Sequence, residues 1–159
     1  MDYRTALDSN AMDEKKTVFI AEDHQLFRDG LKAMLASKDG LEVVGEARDG
    51  LEAINSIKKR QPDLLLLDLS MPRLSGISVI KELRRQFPDM RILVLTIHES
   101  DQYVIETFEA GANGYCIKDA SRDELLLAMN SVLSGKTYIS PGIAENVMEG
   151  YLEGHKKIK

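Results

Sequence analysis

From Thr17 onward the chain repeats one pattern five times: a short apolar run, then an amphipathic stretch with helical spacing. Val18-Phe19-Ile20-Ala21 is the first run. The others are Leu41 to Ala47, Leu64 to Leu67, Ile92 to Leu95 and Tyr115-Cys116-Ile117. They are short and mostly aliphatic, without strict polar alternation. That suits strands covered on both faces, as in a parallel sheet, better than half-exposed strands.

The stretches between them carry apolar stripes. Phe27, Leu31, Met34 and Leu35 share one side of a helix; so do Leu51, Ile54 and Ile57, and then Ile77, Ile80 and Leu83. Val104, Ile105 and Phe108 form a fourth stripe, and Leu125, Leu126, Met129, Val132 and Leu133 a fifth. Asp49 with Glu52, and Ser121 with Glu124, have the spacing of helix starts, while Gly40, Gly111 and Gly135 mark stops. Five strand–helix units predict an α/β fold with a central parallel sheet and helices on both faces.

The ends read differently. Residues 1–16 are polar and aperiodic, and Ser9-Asn10-Ala11-Met12 resembles a cloning scar before an initiator Met, so they are set apart as an N-terminal extension. Residues 136–159 predict a linker helix that starts at Ser140-Pro141, carries Ile143, Val147, Met148 and Tyr151 on its apolar side, and ends at Gly154. Residues 17–135 form the domain. No apolar run approaches the roughly 20 residues of a membrane span, and no signal peptide is visible, so a cytoplasmic protein without a membrane partner is expected. The single Cys excludes a disulfide framework and a Cys-rich zinc site. A net charge of −5 argues against strong nucleic-acid binding by these residues. Lys58-Lys59-Arg60 and Lys81 to Arg85 read as solvated helix faces, Cys116 as a buried, inert thiol, and His24 and His98 as surface residues.

In an open parallel sheet the functional site lies beyond the carboxyl ends of the strands. Glu22-Asp23 follows the first strand, Asp68 the third, Thr96 the fourth and Lys118 the fifth. Acids at strand ends also serve as helix caps, which would suffice for Glu22-Asp23 alone. Convergence at four strand ends is harder to explain that way. Two unit charges about 4 Å apart repel by about 4 kcal/mol at an effective dielectric of 20. A hard divalent ion such as Mg²⁺, with Lys118, would offset the three carboxylates. Such a site suits phosphoryl transfer, which depends mainly on positioning and charge stabilisation.

These residues resemble the receiver domain of two-component response regulators over about Thr17 to Gly135. The motifs are the acidic pair Glu22-Asp23, Asp68-Leu69-Ser70-Met71-Pro72 running to Gly76, Thr96, and Lys118. Leu95-Thr96-Ile97-His98, Gly111-Ala112-Asn113-Gly114-Tyr115 and Tyr138-Ile139-Ser140-Pro141 resemble the NarL/FixJ class, whose receivers precede LuxR-type helix-turn-helix domains. The resemblance implies a flavodoxin-like (βα)5 fold, a doubly wound five-stranded parallel sheet of order 2-1-3-4-5, the order that a chemotaxis receiver also has. It implies that Asp68 takes a phosphoryl group from a sensor histidine kinase. Mg²⁺ would be held by Glu22, Asp23, Asp68 and the backbone carbonyl of Ser70. Lys118 would pair with the acyl phosphate, Thr96 would bond a phosphoryl oxygen, and Tyr115 would be an aromatic switch turning inward when Thr96 moves. Further implications are a homodimer on activation, DNA contact only through a helix-turn-helix domain missing from these residues, and no enzyme activity beyond the protein's own phosphorylation and dephosphorylation.

Two positions depart from the family pattern. Ile97 stands where many receivers have a small residue, and its bulk is expected to restrict small phosphodonors or water. Asp119 replaces the proline that often follows the lysine. Two rival readings are a receiver-like interaction module that works without phosphorylation, and a Mg²⁺-dependent phosphatase with an Asp nucleophile. The phosphatase would need a second Asp where this chain has Ser70.

Overall fold

The computed structural model describes residues 15–158. The elements in order are β1 (Lys16–Ala21), α1 (Gln25–Ala36), β2 (Leu41–Ala47), α2 (Gly50–Arg60), β3 (Leu64–Asp68), α3 (Gly76–Gln86), β4 (Arg91–Thr96), α4 (Asp101–Ala110), β5 (Gly114–Ile117), α5 (Arg122–Leu133), β6 (Tyr138–Ile139) and α6 (Pro141–Ile158). All strand pairs are parallel, in the order β2-β1-β3-β4-β5-β6. The flavodoxin-like, doubly wound arrangement is therefore as expected.

The sheet has six strands rather than five. Tyr138-Ile139 pairs with Gly114-Tyr115 on the open edge of β5. Two residues are too few to show a strand period, so the sequence pattern does not reveal them. The cause lies in the backbone: an edge strand leaves unpaired N–H and C=O groups. Here the N–H of Ser140 donates to the Tyr115 carbonyl at 3.0 Å. The Ile117 N–H donates to the Ser140 hydroxyl, also at 3.0 Å.

Successive side chains of a strand point to opposite faces, and the core divides accordingly. Phe19, Leu65, Leu67, Ile92, Val94 and Tyr115 meet α2, α3 and α4. Val18, Ile20, Leu64, Leu66, Leu95 and Cys116 meet α1 and α5. Burying each Leu, Ile or Val fully contributes about 1.5–3 kcal/mol before chain entropy is counted. The β1–β2 register shifts between Val18 and Phe19, and Gly45 of β2 then lies under the Phe19 ring. A Cβ at Gly45 would come within 2.7 Å of that ring, so the ring needs the glycine there.

The starts of α2, α5 and α6 follow the sequence signals. The side chains of Asp49 and Ser121 accept from the N–H groups of Glu52 and Glu124, and Ser75 and Ser100 cap α3 and α4 in the same manner. α6 begins at Pro141, with the Ser140 carbonyl accepting from Ala144. It does not stop at Gly154 but runs to Ile158. Gly154 has no positive φ, and a glycine within a helix costs only about 1 kcal/mol. Ile143 and Val147 face the core, but Met148 and Tyr151 are exposed, so the apolar side is narrower than expected. Leu51 and Ile105 likewise sit at exposed edges of their stripes. The N-terminal extension, up to Glu14, lies outside the described residues.

Candidate functional site

The parallel registers bring the strand ends level. Ala21 pairs with Leu67, Asp68 with Leu95, and Thr96 with Ile117. Glu22, Asp68, Thr96 and Lys118 consequently gather at one edge of the sheet. Glu22 is 2 % exposed and Asp68 5 %, so both carboxyl groups are shielded from water.

Lys118 ties this edge together. Its ammonium donates to Glu22 Oε1 and, at 3.4 Å, to Asp68 Oδ2. The same Nζ stands 4.7 Å from the centre of the Phe27 ring. The second Asp68 oxygen, Oδ1, accepts from the Ser70 N–H at 3.1 Å. Burial, with Asp68 adding to it, raises the Glu22 carboxyl to about 7, against the opposing pull of Lys118. The two carboxylates raise the Lys118 ammonium above its usual value although burial pulls it down.

One oxygen is left over. Glu22 Oε2 is buried and has no hydrogen-bond partner. Carboxylate oxygens of Glu22 and Asp23 and a ring nitrogen of His24 lie within 4.8 Å of one another. An orphaned carboxylate oxygen beside an exposed carboxylate, next to Asp68, fits a hard divalent cation that takes oxygen ligands. His24 itself begins α1 and makes no side-chain cap bond.

Thr96 is fully buried, and its hydroxyl oxygen accepts from the His98 N–H at 3.1 Å. Tyr115 is also fully buried. Its hydroxyl donates to the His98 carbonyl, and burial raises the phenol to about 12. The ring is thus directed inward. His98 is no simple surface residue, contrary to the sequence reading. Its Nε2 lies 2.9 Å from the Ser70 hydroxyl, and its ring stacks on Tyr103 with centroids 4.6 Å apart. No local motif announces these contacts, because Ser70 and Tyr103 belong to other loops and helices.

Ile97 is 70 % exposed. It borders an open, mostly apolar groove of about 740 Å³, lined also by Leu26, Phe27, Met34 and Leu125, with Lys118 at its side. The Lys118–Asp119 peptide is trans, as are all peptide bonds of the described residues.

Comparison with known proteins identifies the family of this fold. A family model described as the response regulator receiver domain matches residues 18–130. The chain belongs to the response regulator receiver domain family. This receiver is 35 % identical over 139 residues to the transcriptional regulatory protein DegU of Brevibacillus brevis, covering 87 % of this chain and 59 % of that protein. It is 43 % identical over 131 residues to the uncharacterized transcriptional regulatory protein YhcZ of Bacillus subtilis, covering 82 % and 61 %. It thus spans about six-tenths of the length of these curated relatives. Among solved structures it is similar to a LuxR-family two-component response regulator from Aurantimonas. The TM-score is 0.83 and the identity 31 %, over 87 % of this chain and 99 % of that one. The isolated REC domain of RcsB from Salmonella enterica serovar Typhimurium, in the presence of phosphomimetic BeF3−, gives a TM-score of 0.77 at 28 % identity, over 84 % and 99 %. The receiver is therefore of the LuxR/NarL class. No helix of the described residues is long and apolar enough to cross a membrane.

Proposed function

We propose that this receiver is a phosphorylation-controlled switch with Asp68 as acceptor. Its donor is a phosphohistidine on a sensor histidine kinase. An Asp68 carboxylate oxygen attacks phosphorus, the phosphorus–nitrogen bond breaks, and the electron pair leaves with the imidazole. Glu22, Asp23, Asp68 and the Ser70 carbonyl would hold Mg²⁺, which supplies charge stabilisation for the transferring phosphoryl group. Lys118 pairs with the acyl phosphate, and the Thr96 hydroxyl bonds one of its oxygens.

The observation that carries this reading is the Lys118 bridge between two buried carboxyl groups, with Glu22 Oε2 left unpaired. A cation and an anion can both be accommodated there. Phosphorylation brings up to two negative charges and new acceptor oxygens. Lys118 and Thr96 then have a stronger partner than those they hold now. Thr96 is linked through His98 to Tyr115, so a shift at Thr96 reaches β5 and the β6–α6 segment beside it. The output of such a switch is transcriptional control in the cytoplasm, through a homodimer and a helix-turn-helix domain.

The phosphatase alternative has no support in the site: Ser70 offers a hydroxyl where a carboxyl would be needed as general acid, and it faces His98. The receiver's catalysis is confined to its own phosphorylation and dephosphorylation.

Intact mass spectrometry with Mg²⁺ and acetyl phosphate, or with a histidine kinase and ATP, tests the proposal on the parent chain and Asp68→Asn. One phosphoryl mass on the parent, absent from the variant, is the expected result. No adduct with any donor would overturn it and favour a module that works without phosphorylation.

A further inference from the structure

Glu22 and Asp23 sit on a turn that the usual devices do not hold. β1 ends at Ala21, and α1 begins after His24, which supplies no side-chain cap. The Glu22 N–H reaches β2, donating to the Ala47 carbonyl at 2.9 Å. The Glu22 carbonyl lies past the last strand pair and has no strand partner.

Arg28 fills that gap from the next turn of α1. Its Nη1 donates to the Glu22 carbonyl at 2.7 Å. The arginine side chain is only 6 % exposed, and its Nε makes no hydrogen bond; it stands 3.4 Å from Glu46 Oε1 as an ion pair. Glu46, on β2, is itself held by Lys32 of α1 at 2.7 Å. A guanidinium is costly to bury, and a long apolar side chain would fill the same space at less cost. The bond to the Glu22 carbonyl is what an apolar residue could not provide.

That carbonyl belongs to the peptide plane that joins Glu22 to Asp23. Fixing it sets the directions in which the two carboxylates leave the backbone. We infer that Arg28 is a positioning residue, which orients the Glu22 and Asp23 carboxylates for a divalent cation through its bond to the Glu22 carbonyl. The inference rests on the ion-binding part of the proposed function. Residues that orient metal ligands commonly change affinity by 10–100-fold.

The test is calorimetric titration of the chain with Mg²⁺ alone, with thermal melting in EDTA measured in parallel. Three variants are compared: Arg28→Met, which keeps stem length without the donors; Arg28→Lys, which keeps the charge without the planar fork; and Ile57→Val, a small loss in the core on α2. Both Arg28 variants are expected to weaken Mg²⁺ about tenfold or more, and Ile57→Val to leave it within twofold at a lower melting temperature. If Arg28→Met fails to fold, Arg28→Lys decides alone. Mg²⁺ affinity within twofold of the parent in either folded Arg28 variant would overturn the inference, since the guanidinium bond to the Glu22 carbonyl would then not be needed. Equal weakening in Ile57→Val would also overturn it, since general loosening would explain the loss. A parent chain that does not bind Mg²⁺ would overturn the ion-binding reading, and the inference with it.

Discussion

The Tyr115 hydroxyl donates a 2.8 Å hydrogen bond to the carbonyl of His98, joining the middle of β5 to the loop after β4. The same His98 donates its N–H to Thr96 and places its ring between the Ser70 hydroxyl and Tyr103. One residue thus touches the loop after Asp68, the buried threonine, the buried tyrosine and the start of α4. Any movement of Thr96 must be accommodated at His98, and therefore at Tyr115.

Tyr115→Phe isolates the hydroxyl. The ring stays packed in the core, but the His98 carbonyl loses a donor. Loss of one such bond costs about 1–2 kcal/mol. For a domain of this size that lowers the melting temperature by roughly 3–8 °C. Labelling of Asp68 should persist, because the tyrosine hydroxyl meets Thr96 and the His98 carbonyl and makes no hydrogen bond to Asp68 itself. An unchanged melting temperature would show that water replaces the tyrosine without loss.

The five long strands, the caps at Asp49 and Ser121 and the edge where Asp68, Glu22, Thr96 and Lys118 meet are legible from spacing, while the caps at Ser75 and Ser100 emerge only in the fold. They repeat a local pattern, and parallel connectivity does the rest. β6 is not legible, because Tyr138-Ile139 is a strand only through the open edge of β5. The contacts of His98 and Arg28 are hidden for a similar reason: each depends on partners whose position only the tertiary fold decides. Arg84 reads as a solvated residue in the sequence because Lys81 and Arg85 beside it are charged, and both are indeed exposed.

Ile97 gives a kinetic prediction. Its side chain stands at the border of the groove beside Lys118, with most of its surface in water. Ile97→Ala removes little packing and opens the approach to Asp68. Labelling by acetyl phosphate should be several-fold faster in the variant, with kinase-driven labelling little changed. Equal rates with the small donor would remove Ile97 as an access barrier.

Cys116 gives a prediction at alkaline pH. It is fully buried, and burial pushes its thiol up to about 11. An unfolded chain ionises the thiol near its ordinary value, whereas the folded one resists. The thiol's contribution is therefore intact below about pH 9, its ordinary value. It is lost as pH rises through about 11. A shift of this size corresponds to about 2–3 kcal/mol. Cys116→Ser should flatten the fall in melting temperature between about pH 9 and 11 relative to the parent. At about pH 8, below the ordinary thiol value, the folded chain should resist iodoacetamide and react only in denaturant. Rapid alkylation of the folded chain would contradict the burial.

Arg84 tests a structural contact that sequence spacing does not reveal. Its guanidinium donates to the carbonyls of Gly111, Phe87, Pro88 and Met90 and to the Asn113 side chain, at 2.6–3.1 Å. Asn113 Oδ1 accepts in addition from the Ile92 N–H, so the network joins α3, the start of β4 and the turn before β5. Gly111, at φ 121°, lies close enough that a Cβ would meet the arginine stem at 2.8 Å. Arg84→Met keeps the stem and removes every donor. Several carbonyls then lose a charged partner, and the half-buried ones cannot all be rehydrated. Leaving a buried carbonyl without its donor costs about 1–3 kcal/mol, and partial exposure of these groups holds the total to about 2–3 kcal/mol. Urea denaturation should show a lower midpoint with an unchanged slope. Labelling of Asp68 by a kinase should persist at temperatures where the variant remains folded, because Arg84 lies at the opposite edge of the sheet from the acidic cluster. A midpoint equal to the parent's would mean that water satisfies those carbonyls and that the network holds nothing together.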